Sequence, residues 1–222
     1  LKVQEQVQRS VYWWNKVATY AFRKPSPLNG FDLFNYMALI VCARARDYAE
    51  ITFHKFADEL EAKDAAGQYA FGAAENEKHR VTWEGIAVWT YLGATFKGLK
   101  NVGSVMTGSA YPGLWSLVYT PGDLESMAEA YTNVYINTCG SNRYEEFYKV
   151  VSNAKSDGIV LHLNRSCKLM GLLNNEGAEY VNAKMGIPFV SFDGDQTDPN
   201  VFSQAQYETR VQALSEMMDN NN

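Results

Sequence analysis

Along the first third of the chain, apolar positions recur at three- and four-residue steps. Val3, Val7, Val11, Trp14 and Ala18 fall on one helix face. The run Lys24 to Gly30, with two prolines and a glycine, interrupts that rhythm. A second helix is expected from about Asp32, a side chain suited to an N-cap, and a third from about Asp47 to Lys63. Small residues between Ala65 and Gly72 predict a flexible connection. Residues 1–78 therefore read as a helical segment.

From residue 79 the pattern changes to short apolar, β-branched runs alternating with amphipathic stretches. The runs are Arg80–Trp83, Val102–Met106, Asn133–Ile136, Gly158–Leu163 and Pro188–Phe192. Helices are expected over about 86–98, 122–130, 141–155 and 168–185, with a last one from about Ser203 to Met218. This alternation predicts an α/β fold. A helical N-terminal segment precedes a Rossmann- or flavodoxin-like parallel sheet over residues 79–222, with helices on both faces. Right-handed crossovers would then bring every strand's carboxyl end to one edge.

The residues after each run are small, polar or reactive. Thr107 to Pro112, carrying Ser109 and Tyr111, follows the second run, and Asn137-Thr138-Cys139-Gly140 follows the third. Asn164-Arg165-Ser166-Cys167 follows the fourth, and Asp193 to Asp198 the fifth. Open parallel sheets bind ligands at that edge. Ordinary turn chemistry accounts for part of the same polarity.

Cys167 ends a strand and opens a helix, where unpaired backbone N–H groups favour a thiolate; Arg165 and Lys168 add positive charge beside it. A thiolate there suits a nucleophile, a redox thiol or a metal ligand. The alternative is a small buried apolar side chain. Cys139 has a similar position before Gly140, whereas Cys42, within Leu39–Ala43, is expected in a helix core. His162 lies between Leu161 and Leu163 in a strand buried on both faces and reads as a hydrogen-bonded core histidine. His54 and His79 lack metal-ligand spacing. Asp193, Asp195 and Asp198 lack the later bidentate glutamate of a calcium loop and read as turn and cap residues before the last helix. Trp13 and Trp14 suit a core or a subunit interface; Trp83, Trp89 and Trp115 suit a core or a pocket wall.

Composition narrows the classes of partner. The net charge is −5 and no basic run is present, so nucleic acid is not an expected partner. No stretch is long and apolar enough to span a membrane. Three widely spaced cysteines argue against a disulfide framework and for a reducing cytoplasm. The aromatic content, 14%, suits a thick core, an interface or an apolar pocket.

The run Asp157-Gly158-Ile159-Val160-Leu161-His162-Leu163-Asn164-Arg165-Ser166-Cys167-Lys168 resembles the cluster-binding segment of the 2-hydroxyacyl-CoA dehydratase and benzoyl-CoA reductase family. Pro188 to Pro199, Phe202 to Met217, and Arg80 to Ile86 with Gly108 to Pro112 resemble other segments of it. The likeness runs from about residue 79 to the end and is closest to the α-type subunit of 2-hydroxyglutaryl-, lactoyl- or phenyllactyl-CoA dehydratases. The resemblance implies a lyase that turns an (R)-2-hydroxyacyl-CoA into the 2-enoyl-CoA through a ketyl radical. It implies a 4Fe–4S cluster held by three cysteines, with one iron open to the thioester carbonyl. It also implies a second dehydratase subunit in a heterodimer and an ATP-dependent iron–sulfur activator protein that supplies one electron. Cys167 would be the third cluster ligand; neither Cys42 nor Cys139 matches the other two, which are expected upstream of Leu1 in a domain this chain lacks. The acyl-CoA substrate is expected near Ser109, Tyr111, Asn137, His162, Asn164, Arg165 and Ser166. Two other readings stay open: a benzoyl-CoA-reductase-type subunit, and a non-catalytic flavodoxin-like binding module in which Cys167 is structural.

Overall fold

The structure is a computed structural model and describes residues 1–221. Three helices open the chain: α1 (Lys2–Thr19), α2 (Gly30–Cys42) and α3 (Asp47–Ala65). Val7, Val11, Trp14 and Val17 of α1 bury against Leu33, Met37 and Ile40 of α2 and Phe53, Ala57 and Leu60 of α3. Val3, on the predicted face, stays exposed. Asn29, not Asp32, caps α2: its backbone is extended and its side chain accepts from the Phe31 N–H, while Asp32 sits in the first turn.

The rest of the chain builds an all-parallel sheet of β1 (His79–Glu84), β2 (Ser104–Gly108), β3 (Gly158–Asn164) and β4 (Phe189–Gly194), in the order β2-β1-β3-β4. Between the strands lie α4 (Leu92–Asn101), the short α5 (Ala110–Gly113), α6 (Leu124–Thr132), α7 (Gly140–Asn153), α8 (Lys168–Gly171) and α9 (Asn174–Met185). Helix α10 (Gln204–Asn221) closes the chain. Val81, Trp83, Val160, Val190 and Phe192 point to one face, where α4 and α10 cover them with Leu99, Tyr207, Val211 and Leu214. Ile159 and Leu161 point to the other, under Phe147 and Val151 of α7 and Ala178 and Val181 of α9. Strands with both faces covered explain the unbroken apolar runs in the sequence.

Two expected elements change. Asn133–Ile136 is not a strand but a run of turns between α6 and α7. Its apolar residues Val134, Tyr135 and Ile136 pack beside Ile86, Leu114 and Met170 instead of pairing with a neighbour. The expected helix 168–185 is two helices, interrupted after Gly171.

The helical segment is tied to the sheet. Phe31 and Phe34 of α2 pack on Trp83, with the Phe31 ring 5.6 Å away. Arg80 of β1 is buried, and its guanidinium donates to the Ala21 carbonyl at 2.8 Å, the Arg23 carbonyl at 2.9 Å and the Ala154 carbonyl at 3.1 Å, with Glu77 opposing its charge. The Trp14 indole donates to the Pro112 carbonyl across the same junction.

Candidate functional site

From β1 the chain steps outward to β2; it then returns to lay β3 on the opposite side of β1. The carboxyl ends of β1 and β3 therefore flank the switch point, where such sheets admit ligands. The strands separate only gradually there. Gly85 leaves β1 with φ +106°, and a Cβ on it would lie 2.6 Å from the His162 carbonyl oxygen, so only glycine fits.

Cys167 lies at this edge, half-buried beside Ile86, Leu114 and Met170. It is the N-cap of α8, which has only four residues. The loop before it is strongly fastened. Asn164 is buried, and its Oδ1 accepts from the Ser166 and Gln196 N–H groups, both at 3.3 Å. Asp195, after β4, accepts from the Ser166 N–H at 3.0 Å and from the Ser166 hydroxyl, and also from the Thr197 and Asp198 N–H groups at 2.9 and 3.0 Å. The Ser166 hydroxyl, then these N–H groups, hold the Asp195 carboxyl well below the usual carboxylate range. The aspartate run is turn work, as expected, but Ser203 rather than an aspartate stands at the start of α10. Arg165 is exposed and reaches Asp193 at 3.7 Å.

The other expected residues divide. Tyr111 joins Cys167 at the site: its phenol is pushed up by burial and by the nearby Cys167 charge. Ser109 precedes α5 with a buried hydroxyl that has no hydrogen-bond partner among the described residues. His162 is fully buried, donates from Nδ1 to the Ile86 carbonyl at 2.5 Å and stacks on Phe192. Burial pushes its pKa down and keeps the ring neutral. Asn137 follows no strand; it is exposed, and its amide donates to the Tyr131 carbonyl. Cys139 caps α7 at the surface, its thiol pKa lowered by the Ser141 hydroxyl and the Asn142 N–H. Cys42 is not core. It is exposed at the end of α2, because that helix is apolar nearly all round and its sequence does not mark the inward face. It lines an apolar groove of about 470 Å³ with Phe34, Val41, Trp89, Tyr111 and Trp115. Trp89, Tyr111 and Trp115 also pack on the cluster around Cys167, so groove and thiol share a wall.

Sequence reasoning missed one group. Glu84, the last residue of β1, is fully buried. Its Oε1 accepts from the Tyr135 hydroxyl at 2.8 Å, and its Oε2 has no partner among the described residues. Burial raises its pKa to about 7, against the Tyr135 hydrogen bond and the Arg143 charge. The available signal was a glutamate closing a strand whose other residues predict complete burial.

The resemblance implies an iron–sulfur cluster, which needs several thiolates. Among the described residues no group of three or more His, Cys, Asp and Glu side chains could hold a metal ion. A half-buried thiol at the ligand edge fits a contribution of one ligand; Cys42 and Cys139 are exposed elsewhere on the surface. No helix among the described residues is long and apolar enough to cross a membrane.

Known proteins bear this likeness over the entire chain, helical segment included, so it extends well upstream of residue 79. Lactoyl-CoA dehydratase subunit alpha of Anaerotignum propionicum is 61% identical over 222 residues, 99% of this chain and 52% of that one. The (R)-2-hydroxyisocaproyl-CoA dehydratase alpha subunit of Clostridioides difficile is 43% identical, covering 93% of this chain and 50% of that one. The (R)-phenyllactyl-CoA dehydratase alpha subunit of Clostridium sporogenes is 39% identical, covering 95% and 51%. The chain thus spans about half the length of these relatives. With the family model for the 2-hydroxyglutaryl-CoA dehydratase D-component matching residues 1–218, the chain belongs to that family.

Proposed function

We propose that this chain is the cluster-binding part of an α-type subunit of a 2-hydroxyacyl-CoA dehydratase, a lyase that eliminates water from a 2-hydroxyacyl-CoA to give the 2-enoyl-CoA. The observation that carries the reading is the 61% identity to a lactoyl-CoA dehydratase alpha subunit across 222 residues. It makes lactoyl-CoA the first substrate to test. All three relatives described above are dehydratase alpha subunits, which favours this reading over a ring-reducing subunit or a non-catalytic module. Residues 1–78 serve as the helical segment and 79–222 as the cluster-binding domain.

Cys167 is the residue of this chain that would hold iron, with the remaining thiolates supplied from outside it. When bound, the cluster would supply a Lewis-acidic iron for the thioester carbonyl and a carrier for one electron. An ATP-driven iron–sulfur activator protein would supply that electron, by which the acyl-CoA would become a ketyl radical; the hydroxyl and a proton from the adjacent carbon would leave together as water, with the electron recovered at the end. The enzyme works in the cytoplasm as a heterodimer with a second dehydratase subunit.

The chain's own residues place and dry the reaction. Asn164 and Asp195 fix the Ser166–Cys167 turn. Ser109, whose hydroxyl has no partner among the described residues, offers the thioester a hydrogen bond at the same edge. Tyr111, Trp89 and Trp115 form the wall shared by groove and thiol, and the acyl end of the substrate lies along it. Asn137, His162 and Arg165 complete the proposed surroundings, His162 from beneath by fixing the Ile86 carbonyl. The test is Cys167→Ser in the full-length subunit assembled with its partner under anaerobic conditions. Iron content is expected to fall and dehydration of lactoyl-CoA to vanish; normal iron with normal turnover refutes the assignment.

A further inference from the structure

The helical turn behind the Cys167 thiol is too short to satisfy its own backbone. Within it, the Gly171 N–H reaches the Cys167 carbonyl at 3.0 Å and the Leu172 N–H reaches the Lys168 carbonyl at 2.9 Å. The next carbonyls, of Leu169 and Met170, need donors from elsewhere. Hydrophobic anchoring is also thin: Met170 is buried, but Leu169 and Leu172 are 53% and 68% exposed.

Arg143, on α7, meets that need. It is 2% exposed, and its Nη1 donates to the Leu169 carbonyl at 2.6 Å. Its Nη2 donates to the Met170 carbonyl at 3.3 Å and to Asn174 Oδ1 at 3.5 Å, so one guanidinium clamps the end of α8 to the start of α9. The fork is itself held. The Tyr135 ring lies 4.7 Å from the guanidinium carbon, and the Tyr135 hydroxyl donates to Glu84, whose carboxyl opposes the arginine charge. Two other segments of chain thus hold the one guanidinium that grips two carbonyls behind the thiol, while Asp195 grips the residue in front of it.

We propose that Arg143 is a positioning residue for Cys167, acting through the Leu169 and Met170 carbonyls, with Glu84 and Tyr135 holding its guanidinium in place. The geometric claim stands on hydrogen bonds alone; its meaning for catalysis rests on the dehydratase reading.

Arg143→Lys keeps a positive charge opposite Glu84 but cannot span both carbonyls. In the full-length subunit stripped of iron, alkylation of individual cysteines by iodoacetamide can be followed by peptide mass spectrometry. The Cys167 rate is expected to rise about tenfold in Arg143→Lys, the effect of losing one charge-assisted hydrogen bond, and at least as much in Arg143→Gln. Cys42, exposed on α2 and remote in sequence, should keep its wild-type rate. A Cys167 rate that stays level or falls, or a rise shared equally by Cys42, overturns the proposal. The labelling needs no cluster, so normal iron and turnover in Cys167→Ser would remove the ligand role of Cys167 and leave this result standing.

Discussion

Glu84→Gln isolates the energetic effect of a carboxyl that burial has made hard to ionise. The substitution preserves the volume and keeps an acceptor for the Tyr135 hydroxyl. Burial lifts the Glu84 pKa from 4.5 to about 7, so the folded chain binds a proton more tightly than the unfolded chain does. Below about pH 4.5 the carboxyl is neutral in both states and imposes no penalty. As pH rises to 7, the unfolded state ionises first and stability falls; above 7 the full penalty is present. At about 1.4 kcal/mol per tenfold change in proton affinity, the rise from 4.5 to about 7 corresponds to about 3 kcal/mol. The glutamine cannot ionise and escapes this loss. Its amide sits where Oε2 lacks a partner, which adds a cost, but that cost does not vary with pH. The stability difference between variant and wild type should therefore move in the variant's favour by about 2–3 kcal/mol between pH 5 and pH 8. Urea unfolding followed by tryptophan fluorescence at the two pH values reads this directly, with the m-value as a check on two-state behaviour. An offset between the variants that is the same at both pH values refutes the argument.

Two further outcomes test the edge of the sheet. The depressed Asp195 carboxyl stabilises its turn above the ordinary carboxylate range and loses that hold as pH falls towards its own pKa. Protection of the Ser166, Thr197 and Asp198 amides from hydrogen exchange, taken against the intrinsic rate at each pH, should therefore fall on acidification in the wild type and already be low near neutral pH in Asp195→Ala. Unchanged protection in the variant contradicts the hydrogen-bond assignment. Gly85→Ala places a Cβ against the His162 carbonyl at a positive φ, and should lower stability by about 2–4 kcal/mol, read as a fall in Tm.

The strand–helix alternation was legible because parallel strands covered on both faces leave continuous apolar runs, and four of the five expected strands form. The third, Asn133–Ile136, failed because its three apolar residues look alike whether they pair with a strand or pack as a loop. Local pattern holds no record of which surface they meet. The fate of Cys42 was hidden for a related reason: α2 is apolar on nearly every side, and only its partners decide which side faces out. The polar edge containing Cys167, Ser109 and Tyr111 was legible because it follows from topology. The Glu84–Tyr135–Arg143 group was not, since its members are far apart in sequence and each looks ordinary alone.

The position of β1 inside the sheet governs how the chain must be made. Val81 pairs with Gly158, and the Trp83 ring rests against Phe192 and Tyr207. A ribosome adding 5–20 residues per second needs roughly 6–25 s to pass from Trp83 to Tyr207. During that interval a strand of strong β-propensity has a bare edge on the β3 side and a tryptophan covered only by Phe31 and Phe34. Nascent chains therefore spend seconds with that edge open, a state in which pairing with another chain competes with folding.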